Sequence, residues 1–274
     1  MGRQRGSFDD FDEWMLLSDE ELAGELERET PGQYSDPVLA RDQEQYISFL
    51  KELRRCGVIG CSSWVECVCG LFFVSKKNKK LRLIIDARRA NVFFRRPPSG
   101  ENSSLAALGN LRVPRGEKLY ISQYDVRDFF YRLGIPWKLA RYFGLPPLTL
   151  DEAAEIFSAR ELETCRSGAC VYPFFQVLPM GFSWAFFLAQ EALREVVTRS
   201  LVGARFVTDF TRAPCLHDPT PVVMIYADNG NHLGLSREKV NDERALVDAE
   251  LNRVGLATHE VVGGWCAAQG LSHA

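Results

Sequence analysis

The chain has 274 residues, 46% of them apolar and 25% charged, with a formal net charge of -3 at pH 7. That length buries a proper core, as one large domain or two small ones, and the balance excludes a disordered or collagen-like chain. No apolar run is long enough to span a bilayer and MGRQRGSFDDFDEW lacks the apolar stretch of a signal peptide, so we expect a soluble protein of the cytoplasm or nucleus.

Met1-Gly2 does not begin a myristoylation signal, because Gly6 stands where Ser or Thr is needed. Eight cysteines include Cys67 and Cys69 but no CxxC pair, so reduced thiols are expected in place of a zinc site. The net charge hides an asymmetry. Asp9 to Glu29 is acidic, the pattern of a solvated face. Lys76 to Arg96 gathers nine basic residues against the single acid Asp86, dense enough for a local phosphate-binding surface.

In chain order, residues 1–38 read as an acidic lead-in, expected to be partly disordered, with one helix capped by Ser18 and its box partner Glu21. A second helix runs from about Leu39 to Cys56, with Tyr46, Phe49, Leu50 and Leu53 on one side. Val65–Ser75 and Lys80–Asp86 form a hairpin with the basic tip KKNKK. A loop from Arg95 to Ser104 and a short helix near Leu105–Leu111 follow, then a strand from Leu119 that ends in Asp125. Glu152–Glu163 reads as a helix, Val171–Leu178 as a strand and Phe182–Ser200 as a largely apolar helix. Val222–Ala227 and Asn231–Leu235 form a hairpin around Asn229-Gly230, and Arg237–Val254 is an amphipathic helix stopped by Gly255. Trp64, Trp137, Trp184 and Trp265 read as packing. His217, His232, His259 and His273 fit no catalytic pattern.

Asp at a strand end is commonly a cap, and Asp128 is read as one. Asp125 differs because VVMIYADNGNHLG, a hundred residues on, ends another strand in Asp228. A split βαβ palm lays two such strands side by side and brings both carboxylates together. Paired carboxylates repel unless a cation lies between them, and a hard divalent ion with substrate phosphates is the natural occupant. Such sites perform nucleotidyl transfer.

At these residues the chain resembles the reverse transcriptases of retroelements and retroviruses, over roughly residues 40 to 258. FFVSKKNKKLRLIIDARRAN is similar to the fingers segment of that family, YDVRDFFYRLGIP to its motif A, and FQVLPMGFSWAFFLAQ to its motif B. IYADN resembles motif C, and REKVNDERALVDAELNRVGLATHE motif D. The resemblance implies an α/β fold: a right-hand polymerase palm with a ferredoxin-like split βαβ sheet, plus a fingers subdomain, over 39–260. Residues 261–274 are then a tail ending before a thumb. It implies an RNA-directed DNA polymerase that uses Mg2+ or Mn2+, an RNA template, a DNA primer and deoxynucleoside triphosphates. No membrane partner is expected, and thumb or ribonuclease H domains would come from another chain.

Carried over by residue, Asp125 and Asp228 with the Val126 carbonyl hold the metal. Lys77 and Arg82 bind the triphosphate, and Phe130 is the steric gate against a 2′-hydroxyl. Met180 and Gly181 line the nucleotide pocket, Tyr226 lies near the primer end, and Arg88 and Asn91 brace the fingers and the template. This sequence departs from the family in carrying Asn229 for the second Asp of Y-x-D-D and Met180 where many relatives have Gln. Those departures leave a second reading open, a nucleic-acid-binding remnant without turnover.

Overall fold

The structure, a computed structural model, describes residues 11–27, 31–75, 79–99, 103–166, 168–209, 211–212, 214–216 and 220–267. Its strands are β1 (Ile59–Ser62), β2 (Gly70–Ser75), β3 (Leu81–Asp86), β4 (Lys118–Val126), β5 (Tyr172–Phe175), β6 (Val222–Tyr226), β7 (Asn229–Gly234) and β8 (Thr258–Ala267). The helices used below are α1 (Phe11–Met15), α2 (Asp19–Glu27), α3 (Gln43–Arg55), α4 (Leu105–Gly109), α5 (Ala185–Ser200) and α6 (Arg237–Arg253). The chain divides into two compact units, Met1–Pro97 with Phe130–Ala185, and Pro98–Phe129 with Phe186–Ala274.

In the first unit β2 and β3 form the expected antiparallel hairpin, in register from Gly70 opposite Asp86 to Ser75 opposite Leu81. The first strand is shorter than its apolar run. The acidic lead-in is anchored: Phe11 and Met15 are fully buried, and Arg95 N–H donates to the Met15 carbonyl at 2.8 Å. Trp14 packs edge-on against Trp184 at 5.1 Å. The Ser18–Glu21 capping box forms, with Glu21 N–H donating to Ser18 Oγ and Ser18 N–H to Glu21 Oε2. Helix α3 buries Tyr46, Ile47 and Leu50.

The helix expected over Glu152–Glu163 is broken into Leu150–Ala154 and Ala159–Leu162. Two capping boxes explain the break: Thr149 with Glu152 starts one helix, and Ser158 with Glu161 starts a new one. Trp64 and Trp137, read from sequence as packing, are instead 45% and 39% exposed and meet edge-on at 5.8 Å.

The second unit is an antiparallel sheet in the order β6-β7-β4-β8. Taken along the chain, β4, α5, β6, β7, α6 and β8 make two βαβ halves whose strands interleave, which is the ferredoxin-like arrangement. Strand β4 lies inside the sheet, with β7 on one side and β8 on the other. Residues 261–267, read as tail, continue β8 along β4. The core gathers Leu119, Val222, Met224 and Leu233 of the sheet with Ala107 of α4 and Leu111, Val207 and Leu216. Behind β4, the buried Tyr124 ring lies 5.9 Å from that of His232, and burial, with Asp248 nearby, pushes its phenol up.

At the end of β3 the Asp86 carboxylate, 4% exposed, accepts from Tyr34 N–H at 2.7 Å and from Arg88 Nε and Nη2 at 2.8 and 2.7 Å. The Arg88 hydrogen bonds hold its pKa below the usual carboxylate value. A lowered folded pKa adds stability above the unfolded value of about 3.9, lost as pH falls through the folded value. Asp86→Ala is therefore expected to cost about 2–3 kcal/mol at pH 7 in urea unfolding, with the gap to wild type narrowing as pH falls below the unfolded value of about 3.9. A gap independent of pH would contradict this account.

Candidate active site

The β6–β7 hairpin closes on two residues. Tyr226 pairs with Asn229, so Ala227 and Asp228 form the turn, and Ala227 sits in the left-handed region at φ 51°. This corrects the expectation of a turn at Asn229-Gly230. Gly230 lies within β7, and the reason is packing: a Cβ there would run into the ring of Tyr124. Sequence reasoning saw a turn glycine where the structure needs bare backbone against a buried aromatic.

Two buried side chains hold the hairpin. Gln190 of α5, 1% exposed, accepts from Ala227 N–H and donates to the Ile225 carbonyl, both at 2.8 Å. Ser103 Oγ accepts from Ile225 N–H at 3.2 Å and donates to the Val207 carbonyl at 2.6 Å. Neither residue was singled out from sequence, since a Gln in an apolar helix and a Ser in a loop carry no local signal.

The ladder between β4 and β7 places Asp125 opposite Asn229, and Val126 N–H donates to the Asp228 carbonyl at 2.8 Å. Asp125, Val126 and Asp228 are thus brought together at one end of the sheet, with Tyr226, 53% exposed, at the same turn. Strand β8 adds a residue that fits no catalytic pattern in the sequence: His259 Nδ1 lies 3.4 Å from Asp125 Oδ1. On the same sheet face, Gln123 donates to Asn231 Oδ1, and Asn231 Nδ2 donates to Asn229 Oδ1 at 3.0 Å. These amides and Tyr226 line a cleft of about 630 Å3 with Ser103 and Ser104.

The remaining candidates belong to the first unit. Lys77 lies outside the described residues. Arg82 is exposed on β3. Met180 and Gly181 form a turn fastened to β3, with Ile85 N–H donating to the Met180 carbonyl at 3.0 Å. Gly181 has φ 126° and leaves no room for a Cβ against the Ile85 carbonyl, so only glycine fits. Asn91 grips the same turn twice: its Nδ2 donates to the Gly181 carbonyl at 3.1 Å, and its Oδ1 accepts from Ser183 N–H at 2.9 Å. Arg88 is committed to Asp86. Phe130 is half-buried in the short helix Phe129–Arg132, where the neighbouring Tyr131 hydroxyl donates to the Leu83 carbonyl at 3.0 Å.

The donor set at Asp125 and Asp228 consists of carboxylate oxygens, which suit Mg2+ or Mn2+ and not a thiol-loving ion. Among the described residues no three or more His, Cys, Asp or Glu gather as a metal cage. Two carboxylates match ions that keep water and phosphate as their other ligands.

No model of a known protein family matches the sequence, and no curated protein does. Among solved structures the chain is similar to a foamy viral protease-reverse transcriptase in complex with double-stranded DNA, with a TM-score of 0.54 and 16% identity. The match covers 83% of this chain and 32% of that one, so the chain spans about a third of its length. The likeness is one of fold. It bears out the mixed α/β architecture and a polymerase-like palm. Among the described residues no helix is long and apolar enough to cross a membrane.

Two variants test the hairpin. Gln190→Leu leaves a buried N–H and a buried carbonyl unpaired, and should cost about 2–4 kcal/mol in thermal or urea unfolding. Gly230→Ala should cost about 1–3 kcal/mol by forcing Tyr124 aside, whereas a plain surface turn would tolerate it.

Proposed function

We propose that this chain is a fingers-and-palm part of an RNA-directed DNA polymerase, transferring deoxynucleotides to a primer 3′ end. The observation that carries the reading is Asp125 on β4 beside the β6–β7 turn that bears Asp228, at one end of a ferredoxin-like sheet. Asp125, Asp228 and the Val126 carbonyl would hold Mg2+ or Mn2+, which when bound activates an attacking hydroxyl and neutralises charge on the phosphates.

The chain's own residues do the rest. Tyr226, exposed beside Asp228, offers a ring against the primer end. Arg82 and Lys77 pair with triphosphate oxygens. Met180 and Gly181 present a rigid turn to the incoming nucleotide, and Asn91 keeps it rigid. Phe130 fills the space a 2′-hydroxyl would need, selecting deoxyribose. Arg88 acts through Asp86 as a brace of the fingers, not as a free cation for the template. The structural neighbour was solved with double-stranded DNA, which supports a primer–template duplex as partner. The source as a retroelement and a cytoplasmic or nuclear site also belong to this proposal.

Asn229 favours one further reading. It removes a negative charge from the turn, as in a nucleic-acid-binding remnant that keeps the fold without turnover.

Primer extension on an RNA template, with Mg2+ and with Mn2+, separates the two. In the polymerase, Asp228→Asn lowers extension by about 10²–10³-fold, the scale for removing one electrostatic group from an active site. No extension by any variant, with salt-sensitive template binding retained, would leave the remnant. Phe130→Val should raise ribonucleotide incorporation by about 10-fold or more, as for other packing-based discrimination. Unchanged sugar selection in that variant would rule out the gate.

A further inference from the structure

We propose that Cys67 is a thiol modification site, which reacts with a small anionic disulfide and keeps one of its halves as a mixed disulfide. Three side chains of the first unit make the site: Cys67, the Cys69 thiol bonded to it, and the Arg89 guanidinium. The backbone sets the pair. Residues 66–69 run extended along 141–144: Glu66 N–H donates to the Arg141 carbonyl at 2.8 Å, Gly144 N–H to the Cys67 carbonyl at 3.0 Å, and Cys69 N–H to the Gly144 carbonyl at 2.7 Å. In an extended chain residues i and i+2 share a side, so both sulfurs leave it together, and they share a hydrogen bond. Cys69 is fully buried, with its sulfur also 3.6 Å from the Tyr142 carbonyl. Cys67 is only half-buried, and a reagent can reach it from solvent.

Two bonded thiols give up one proton before the other, and their surroundings decide which. The Cys69 hydrogen bond, with Arg89 nearby, holds the Cys67 thiol below its ordinary value in spite of burial. The same bond, with burial and with Asp86 nearby, pushes Cys69 up. Cys67 is thus the thiolate and Cys69 the donor that steadies it. Arg89 Nε donates to the Pro31 carbonyl at 3.2 Å and Nη1 to Gln33 Oε1 at 3.4 Å, neutral acceptors that leave its charge uncancelled. The nearby acids are engaged elsewhere, Asp86 with Arg88 and Glu66 with Arg141 at 3.6 Å. A second thiol pair shows the contrast. Cys61, bonded to Cys165, is pushed up to about 12 by burial and the Cys165 thiol, with Glu161 nearby. That pair should stay silent.

The step is thiol–disulfide exchange. The Cys67 thiolate attacks one sulfur of the reagent, the reagent's S–S bond breaks as the new one forms, and the departing thiolate takes a proton from water. The disulfide itself is the oxidant. The reaction stops at the mixed disulfide, because Cys69 keeps its proton. Two residues of extended chain also span about 6.6 Å, at the upper edge of the Cα separations that a disulfide bridges. The hydrogen bonds to Gly144 hold that span.

The test labels the full chain with dithionitrobenzoate, an anionic aromatic disulfide, and reads each cysteine by peptide mass mapping at short times across pH. At about pH 6.5 Cys67 should be labelled ahead of the exposed Cys56 and Cys215. Arg89→Gln should slow that labelling about three-fold or more, and should slow the cationic disulfide cystamine less. Cys69→Ala should move the midpoint of the Cys67 pH–rate profile up toward the ordinary thiol value of about 8.5. At about pH 10, where thiols are ionised in all forms, the three rates should agree within about two-fold. Arg89 is exposed, so its variant keeps the test decisive if Cys69→Ala folds poorly. Labelling of Cys56 or Cys215 ahead of Cys67 overturns the proposal. So does a Cys67–Cys69 disulfide in place of the mixed one, or a profile that neither variant moves.

Discussion

For Asp125 and Asp228 to stay at one end of the sheet, the turn that carries Asp228 must be held against β4. In this chain the backbone does it. Val126 N–H reaches the Asp228 carbonyl, and the turn that carries Asp228 is short enough to need a left-handed alanine. Such a conformation costs of order 1 kcal/mol and persists only where its surroundings over-determine it. The surroundings here are buried hydrogen bonds: Gln190 holds the strand and the turn at adjacent points, and Ser103 holds the same strand residue, Ile225, by its N–H. The acids are exposed enough to meet a substrate, and the groups that aim them are in the core.

How much of this was legible in the sequence depended on whether the signal was local. The Ser18 capping box, the β2–β3 hairpin, the strand carrying Asp125 and the strand leading into the turn with Asp228 each follow from residues near one another, and each is present. The turn at Ala227-Asp228 was misplaced because Asn-Gly is a strong local turn signal, overridden by the Tyr124 ring that a distant strand lays against Gly230. The split of the helix near residue 155 was written in Ser158 and Glu161, but an unbroken run of helix formers masked it. His259 beside Asp125, and the Gln190 clamp, depend on pairings that no single stretch announces. The exposed Trp64 and Trp137 were misread for a like reason, since a residue type does not reveal which side of a loop it occupies.

The first unit shows the same economy of means around its own turn. Gly181 is pressed against the Ile85 carbonyl, Met180 accepts from the same residue, and both side-chain ends of Asn91 close over the loop. A turn so fixed is held in one conformation by its own backbone and side-chain hydrogen bonds. Arg88, though itself exposed, is paired with the buried Asp86 carboxylate.

The position of β4 inside its sheet has a consequence for how the chain is made. A ribosome delivers β4 early, while β7 comes about a hundred residues later and β8 later still. Until then the strand bearing Asp125 has two bare edges, and the intervening 130–185 belongs to the other unit. Long-range pairing of this kind is slow and leaves edges open to the wrong neighbour. The second unit can close only once nearly all of the described chain has emerged, and until then β4 depends on partners still to be made.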